Sequence, residues 1–341
     1  MSKPKEKTTK DRAEIRTTEE HIAWIRENIG NVIASNRVAP CEVISSGSII
    51  LDRILGVGGF PLGSIIEIWG EKGASKSTIG INTAVETQRK KQNVLFIDAE
   101  CSFDNGYAHN LGIDFDRLVL IQSDDEGNLY AENIMKLIEK TILDSDIKLI
   151  ILDSLPALLP RKFLEDGMLN YDSGGRLAAI AGLVTKALPR FAQIIKPRNK
   201  ILIIINQVRA NWGAGLNSYA PPYTRPCGEA LEHYNRILLQ LSPSDAIKKS
   251  EKKIGHWVTA TINKSKVAPP DKGKFPLIYG EGIDTILEVA TLGKALNLFE
   301  DKEGKRFYKD NIIGRTIEGM RAFFINNPTI LEELIMEIEN G

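Results

Sequence analysis

Four short apolar runs, each followed by polar or glycine residues, constrain the fold of this chain more than any other feature. The runs span 65–69, 94–97, 149–152 and 201–205, and helix-compatible stretches lie between them. Continuous apolar runs of this length are typical of parallel strands buried on both faces. The residues that follow them would meet at the carboxyl edge of one sheet, where ligands bind in such folds. The sequence therefore predicts an α/β fold with a doubly wound, mostly parallel sheet flanked by helices.

The segment after the first run has the pattern of a phosphate-binding P-loop. It consists of Gly70, Glu71, Lys72, Gly73, Ala74, Ser75, Lys76, Ser77 and Thr78. In a strand–loop–helix unit of this kind, backbone N–H groups cradle phosphates, the lysine reaches the outer phosphates and the next hydroxyl binds Mg²⁺. One residue departs from the pattern, because Ser75 stands where a glycine is expected before the lysine.

Two carboxylates follow other runs and suit phosphate chemistry. Asp153 ends the run 149–152 and could hold the shell of Mg²⁺ through water. Glu100 lies two residues past Asp98 and could orient and deprotonate a water for attack on a γ-phosphate. Either residue could instead be an ordinary polar residue of a turn or loop.

Composition excludes several classes of protein. The 341 residues suffice for one large domain with small appendages or for two domains, and the formal net charge is zero. The cysteines, Cys41, Cys101 and Cys227, have neither metal-ligand nor disulfide-framework spacing, which favours a reducing compartment. No apolar stretch approaches a membrane span and the N-terminus has no secretory pattern, so we expect no membrane partner.

Charge is uneven in the second half of the chain. Between Arg161 and Ala230 there are ten Lys or Arg residues against four Asp or Glu residues. Residues 210–224 carry no charge and contain aromatic, glycine and proline residues. A long irregular segment inside a compact domain is usually functional or disordered.

Four segments then carry a resemblance to a known family. Residues 44–48, 96–100, 205–209 and 278–283 resemble the signature segments of bacterial and phage RecA-type recombinases, in the same order and at similar spacing. The resemblance extends from about residue 44 to 299 and more weakly beyond, whereas the first 40 residues match only in helical character.

The resemblance implies an architecture and an activity. We expect an N-terminal oligomerisation arm at 1–43, a RecA-like ATPase core at 44–291 and a small C-terminal domain at 292–341. The sequence pattern itself predicts a helix over 18–36, from apolar residues at three- and four-residue steps, and a helix that starts at Pro328 after the cap residue Asn327. The implied protein uses ATP and Mg²⁺, polymerises on single-stranded DNA and pairs it with homologous double-stranded DNA. It would act in the cytoplasm of a bacterium or of a phage-infected cell.

The resemblance also implies roles for individual residues. Asp104 and Tyr107 would contact adenine, and Ser77 and Asp153 would form the metal-associated pair. The residues expected to act in hydrolysis are Glu100, Lys76, Gln207, Lys264 and Lys266. Gln207 would sense the γ-phosphate and relay it to a DNA-binding loop. The two lysines would come from a neighbouring subunit, and their spacing places them on one face of a strand.

Segments 161–176 and 209–225 match the family's DNA-binding loops in position. Single-strand binding needs cations for phosphates and flexible or aromatic groups for bases. The candidate DNA-binding residues are Arg161, Lys162, Arg176, Arg209, Trp212, Tyr219, Tyr223 and Arg225. A mobile lid that does not bind nucleic acid is the alternative interpretation.

Two alternatives to the recombinase stay open at the level of sequence. Ser75 departs from the family's P-loop, and Ile180 stands about where the family commonly has an arginine. The chain could therefore be a filament-forming DNA-binding protein with little ATPase activity, or another motor ATPase built on a RecA core. The presence of Lys76, Glu100 and Gln207 argues against the first alternative. The sequence has no recognisable zinc finger, protease-like or primase-linking domain, which argues against the second.

Overall fold

A computed structural model describes residues 17, 19–20, 23–24, 27, 41–123, 129–165, 173–210 and 223–340. The chain divides into two compact units, Met1–Pro40 and Cys41–Gly341. Of the helix predicted over 18–36, the described residues 19–20, 23–24 and 27 are helical, and the others lie outside the described residues.

From residue 41 onward the described elements alternate as the sequence predicts. The strands β1 to β16 are Val43–Ile44, Phe60–Pro61, Ser64–Gly70, Val94–Asp98, Leu118–Gln122, Leu149–Asp153, Ile201–Gln207, Arg209–Ala210, Tyr223–Thr224, Ile237–Lys249, Lys252–Ser265, Lys272–Ile278, Gly282–Ile283, Glu300–Lys302, Lys305–Tyr308 and Asn311–Ile312. The helices α1 to α10 are Ile49–Ile54, Lys76–Arg89, Asn105–Leu111, Ala131–Asp144, Arg161–Glu165, Ser173–Ile195, Gly228–Tyr234, Thr285–Ala295, Ile317–Asn326 and Pro328–Asn340.

The centre of the larger unit is a nine-stranded sheet in the order β13-β12-β11-β10-β3-β7-β6-β4-β5. The six strands from β10 to β5 run parallel, and β11 to β13 extend the sheet in antiparallel fashion. The four predicted runs are β3, β7, β6 and β4, which are neighbours at the middle of the sheet. The predicted α/β fold is confirmed.

Two strands of this sheet have no clear signal in the sequence. The edge strand β5 is only half-buried, and Val119 on it is 45% exposed. In β10 only Ile237–Leu241 pairs with β3, while the rest of the strand extends past the sheet centre with β11 alone. That second part contains Pro243 and charged residues, because one of its sides has no neighbouring strand to exclude water.

Alternate residues of the central strands enter two separate apolar clusters. Ile66 and Ile68 of β3 pack with Ile79 of α2 on one face of the sheet. Ile65 packs on the opposite face with α4 and α6, where Ile138 and Leu188 are buried. Both faces of the sheet are thus covered, which explains why the strands read as unbroken apolar runs.

One described helix, Gly175–Arg198, is long and apolar enough by length and composition to cross a membrane. The expectation that no apolar stretch approaches the length of a membrane span is therefore corrected for this one helix. Ile180, Val184, Leu188 and Phe191 of this helix are buried in the cluster beside the sheet. Core helices of soluble domains pass the same test, because their buried stripe is equally apolar.

The C-terminal elements pack around a third cluster that includes Tyr308, Met320, Phe324 and Leu334. Helix α10 begins at Pro328, where the sequence predicts a helix start. The structure keeps this region in the same compact unit as the sheet.

Candidate nucleotide-binding site

The ends of four parallel strands bring the predicted site residues to one edge of the sheet. Gly70, the last residue of β3, is the register partner of Gln207, the last residue of β7. Asp98 and Asp153 are partners at the ends of β4 and β6. Because all four strands end at the same edge, groups that are distant in sequence become neighbours, as expected at a ligand site of a doubly wound sheet.

The P-loop connects β3 to α2 and holds Lys76 against its own backbone. The Lys76 ammonium donates to the carbonyl oxygen of Gly70 at 3.1 Å and to that of Glu71 at 2.8 Å. Burial lowers the pKa of Lys76, whereas the carboxylates of Asp153 and Glu100 favour its charged form. A buried ammonium with few protein partners is ready to exchange carbonyl oxygens for phosphate oxygens.

Glycine is required at one position of this loop by close packing and is favoured at another by the backbone conformation. A Cβ on Gly70 would lie 2.1 Å from the carbonyl oxygen of Leu241, so the strands could not approach as they do. Gly73 has a φ of +78°, which glycine adopts without strain, and a Cβ there would meet no described atom within 4 Å. Ser75 also lies in the left-handed region, with φ 62° and ψ 27°.

Ser77 and Asp153 form the oxygen pair expected to bind the metal. Burial raises the pKa of Asp153 to about 6, while a hydrogen bond from the Ser77 side chain opposes that rise. Among the described residues, no group of three or more His, Cys, Asp and Glu side chains could hold a metal ion. Mg²⁺ uses one or two protein oxygens together with phosphates and water, so this hydroxyl and carboxylate fit it.

Glu100 and Gln207 meet directly, although 107 positions separate them in the sequence. The Gln207 side-chain amide and the Ser154 hydroxyl both donate to the same Glu100 carboxylate oxygen. Ser154 follows Asp153 at the end of β6, and the sequence provides no signal for its role. Two donors from two strand ends therefore hold the carboxylate that is expected to activate water.

The two residues expected to contact adenine lie beside the start of α2. Asp104 caps α3 by accepting a hydrogen bond from the Tyr107 N–H at 2.8 Å. The Tyr107 hydroxyl lies 3.2 Å from that of Thr78, the residue that follows Ser77. The cap thus holds the backbone of Tyr107, and the hydroxyl contact with Thr78 attaches its side chain to the P-loop helix.

Lys264 and Lys266 contact the last turn of α7 in this chain. The Lys264 ammonium donates to the carbonyl oxygen of Glu232, and that of Lys266 donates to the carbonyl oxygen of His233 at 3.0 Å. Burial, reinforced by Lys264 and Arg236, lowers the pKa of Lys266. The two cations therefore lie together, as their spacing predicts.

The first candidate DNA-binding segment is described at its two ends. The Arg161 guanidinium lies over the Tyr130 ring, 4.7 Å from its centroid, and Lys162 is exposed. Arg176 lies near the start of α6 and is partly buried. The remainder, 166–172, lies outside the described residues.

The second segment begins and ends as a two-stranded ribbon. Arg209 pairs with Thr224, and Ala210 pairs with Tyr223. Trp212 and Tyr219 lie outside the described residues. The ribbon continues directly from Gln207 at the end of β7, so the segment starts two residues after the nucleotide edge.

Arg225, the last residue of this segment, lies in a cluster at its base. Its guanidinium donates to the Glu67 carboxylate at 2.8 Å and to that of Glu232 at 2.9 Å. It also lies 5.3 Å from the centroid of the Trp69 ring, and its side chain is 17% exposed. Contact between Arg225 and DNA stays a prediction, and it would require this ion pair to open.

Sequence reasoning overlooked three residues of this region. Glu67 is fully buried on β3, and no neighbouring residue in the sequence indicates which cation it would pair with. Ser154 and His256 contact Glu100 and Ser75, respectively, through contacts that only the folded chain creates. A charged residue inside a buried-strand pattern was the one available signal, and it points to Glu67.

The sheet, the P-loop at its carboxyl edge and the carboxylates around it define a P-loop protein with a RecA-like core. The family profile described as the RecA N-terminal domain matches residues 16–284. This chain belongs to the RecA family of recombinases.

Curated relatives cover most of the chain. A protein named Protein RecA from Sulfurimonas denitrificans is 33% identical over 309 residues, which cover 90% of this chain and 86% of the relative. Protein RecA from Ehrlichia ruminantium is 35% identical, covering 87% of this chain and 80% of the relative. Protein RecA from Porphyromonas gingivalis is 34% identical, covering 91% and 88%.

Proposed function

We propose that this protein is an ATP- and Mg²⁺-dependent recombinase. It forms filaments on single-stranded DNA and pairs that strand with homologous double-stranded DNA in the cytoplasm. The observation that carries the proposal is the contact between Glu100 and Gln207 at the edge of the sheet, where Gln207 lies two residues before the ribbon of the second segment. Family membership supports the same function.

The P-loop residues would bind the phosphates of ATP. Lys76 would transfer its hydrogen bonds from the Gly70 and Glu71 carbonyl oxygens to phosphate oxygens. Backbone N–H groups at the start of α2 would bind the same negatively charged phosphates. Ser77 and Asp153 would hold Mg²⁺, which supplies positive charge for the developing charge on the phosphates. Tyr107 and Asp104 would bind the adenine side.

Glu100 would accept a proton from the attacking water. Ser154 and Gln207 orient its carboxylate, and both donate to one oxygen, so the other oxygen is available for water. When Gln207 turns toward a phosphate it must release Glu100, and the start of the second segment moves with it. This link makes the affinities for nucleotide and DNA reciprocal.

Assembly completes the site in this proposal. Lys264 and Lys266 contact α7 of their own chain rather than their own P-loop, which suits cations that serve a neighbour. ATP would then lie between two subunits, and its hydrolysis would weaken the filament.

Hydrolysis of ATP with and without single-stranded DNA tests the proposal, followed by strand exchange with a homologous duplex. We expect DNA to stimulate hydrolysis and the Gln207→Ala protein to lose the stimulation while it still binds ATP. Gln193→Ala on the exposed side of α6 is the matched control. Equal rates with and without DNA in the natural protein would contradict the coupling.

The left-handed backbone at Ser75 supports a second candidate, a filament-forming DNA-binding protein that turns over ATP slowly. A non-glycine residue in this region is strained, and the strain could weaken phosphate binding. Strand pairing without measurable hydrolysis would favour this candidate.

A further inference from the structure

The strained residue of the P-loop touches a side chain from a distant strand. Ser75 precedes α2 in the left-handed conformation and makes no side-chain bond to the helix that it starts. Its hydroxyl instead lies 3.4 Å from Nε2 of His256. His256 belongs to β11, which is separated from the P-loop strand by β10.

His256 is held firmly in this position. It is 6% exposed, and its register partners on the neighbouring strands are Ala246 and Leu277. The Tyr279 ring packs on it with a centroid separation of 5.5 Å. Burial, with the charge of Lys253, lowers the pKa of His256, which favours the neutral imidazole.

The two ring nitrogens of His256 differ in their contacts, since Nε2 lies against the Ser75 hydroxyl and Nδ1 does not. Nδ1 is shielded from solvent and has no hydrogen-bond partner in the part of the chain that the structure describes. The contact with Ser75 is therefore the hydrogen bond that compensates the burial of the imidazole, because a buried polar group without a partner is costly. A phenyl ring would fill the same space without that cost.

We infer that His256 is a positioning residue of the P-loop, which holds Ser75 in the left-handed conformation that a nucleotide phosphate requires there. In this chain a side-chain contact from β11 replaces the backbone freedom of the usual glycine. The inference rests on the proposed binding of ATP at this loop. Positioning of Ser75 would require a nitrogen at the position of Nε2, and it would not require an aromatic ring.

A double-mutant cycle on ATP affinity tests the inference. The four proteins are the natural one, His256→Ala, Ser75→Gly and the combination, and Kd is measured by displacement of a fluorescent ADP analogue with ATP and Mg²⁺. We expect His256→Ala to weaken binding about five- to tenfold, as loss of one hydrogen bond does. Ser75→Gly is expected to bind at least as tightly as the natural protein. In the glycine background, His256→Ala should change Kd less than twofold, because glycine adopts the conformation unaided.

Two further variants separate positioning from packing. His256→Gln places an amide near the position of Nε2 and should retain most of the affinity, whereas His256→Phe keeps the ring and should lose affinity as alanine does. Melting temperatures without nucleotide report any loss of fold. If phenylalanine preserves the affinity and glutamine does not, His256 serves packing and the inference fails.

Each result of the cycle has one interpretation. An equal loss in the serine and glycine backgrounds, or no loss in either, overturns the inference and leaves the proposed ATP site intact. Failure of all four proteins to bind ATP overturns the proposed function and the inference with it.

Discussion

At the scale of single residues, two hydrogen bonds orient the Glu100 carboxylate. It is exposed, yet hydrogen bonds from Ser154 and Gln207 determine where its oxygen points. Both donors come from strand ends, since Ser154 follows the last residue of β6 and Gln207 ends β7. The carboxylate that is proposed as the general base is thus oriented by side chains from two other strands.

We expect Glu100→Gln to bind ATP and single-stranded DNA normally but to hydrolyse ATP about 10²- to 10⁴-fold more slowly. The amide keeps the shape of the side chain and cannot accept the proton of water. Single-turnover hydrolysis and nucleotide affinity measure the two effects separately. Glu303→Gln, in an exposed turn, is the control. A normal rate in the Glu100 variant would remove this residue from the mechanism.

Asp52 is a buried carboxyl group whose protonation links the stability of the fold to pH. It accepts hydrogen bonds from the Ser45 hydroxyl and from the Ser46 N–H. Burial raises its pKa to about 7, despite these hydrogen bonds. Burial raises the pKa of Glu288 to about 7 in the same way. The folded protein therefore retains protons that the unfolded chain has lost above its ordinary carboxyl pKa.

The sign of the pH effect follows from this difference. The contribution of Asp52 to the free energy of unfolding is fully present below about pH 4 and is lost as the pH rises toward about 7. In Asp52→Asn the amide can accept from Ser46 and donate to Ser45 without titrating. We expect its melting temperature to fall less between pH 5 and 8 than that of the natural protein. Asp310→Asn, at an exposed position, should follow the natural protein. Equal slopes for all three proteins would contradict the assignment.

At the scale of elements, one buried ion pair ties the second segment to the P-loop strand. Glu67 on β3 is fully buried, and its carboxylate accepts hydrogen bonds from Arg225, Asn206 and Asn235. Burial raises the pKa of Glu67, and the charge of Arg225 opposes that rise. Asn206 precedes Gln207 in β7, so the cluster joins β3, β7 and the end of the second segment, which the proposed function couples.

Removal of Arg225 should leave Glu67 buried without its cation. We expect Arg225→Ala to lower the free energy of unfolding by about 3 kcal/mol, at the low end for broken buried pairs, because Arg225 is partly exposed. Arg190→Ala is the matched control, since its partner Glu139 is 37% exposed and surface pairs contribute about 0–1 kcal/mol. Denaturant unfolding of both variants measures the difference. Equal losses would show that the cluster contributes no more than a surface pair.

The elements also show where sequence patterns end. The strands β3, β4, β6 and β7 are buried on both faces, so their composition alone reveals them. The strand β10 continues beyond β3 with a single neighbour, and its polar second half gives no strand pattern. Periodicity reports the burial of a segment, and it fails where a strand has solvent on one side.

At the scale of the whole molecule, the position of Lys264 and Lys266 predicts shared sites. Both cations lie at the end of α7 of their own chain. If they serve the nucleotide of a neighbour, their loss should prevent ATP-stabilised filaments and leave each subunit folded. Light scattering with ATP and single-stranded DNA reports filaments, and circular dichroism reports the fold of the Lys264→Ala, Lys266→Ala double variant.

Mixing experiments sharpen this prediction. Subunits with Lys76→Ala keep the two lysines, and subunits of the double variant keep the P-loop. Some interfaces in a mixed filament therefore combine an intact loop with intact lysines, and we expect part of the ATPase activity to return. Each variant alone is the control. No recovery at any mixing ratio would contradict shared sites.

The sequence by itself determined the class of fold, the P-loop and the carboxylate at the end of β6. These features are local: a run, a spacing or a strand end carries each of them. The position of Glu100 after a strand pointed to water activation, and signature segments then implied roles for Glu100 and Gln207 through resemblance, without showing that the two residues touch.

Only the tertiary structure decided which of these groups meet and which neighbours hold them. The contacts of Ser154 with Glu100, His256 with Ser75 and Arg225 with Glu67 each join segments that are far apart in the chain. Strand order and register create such contacts, and neither is written in any local pattern. A serine in place of glycine reads as a defect in the sequence, whereas in the folded chain it has a partner, because a buried imidazole from β11 reaches it.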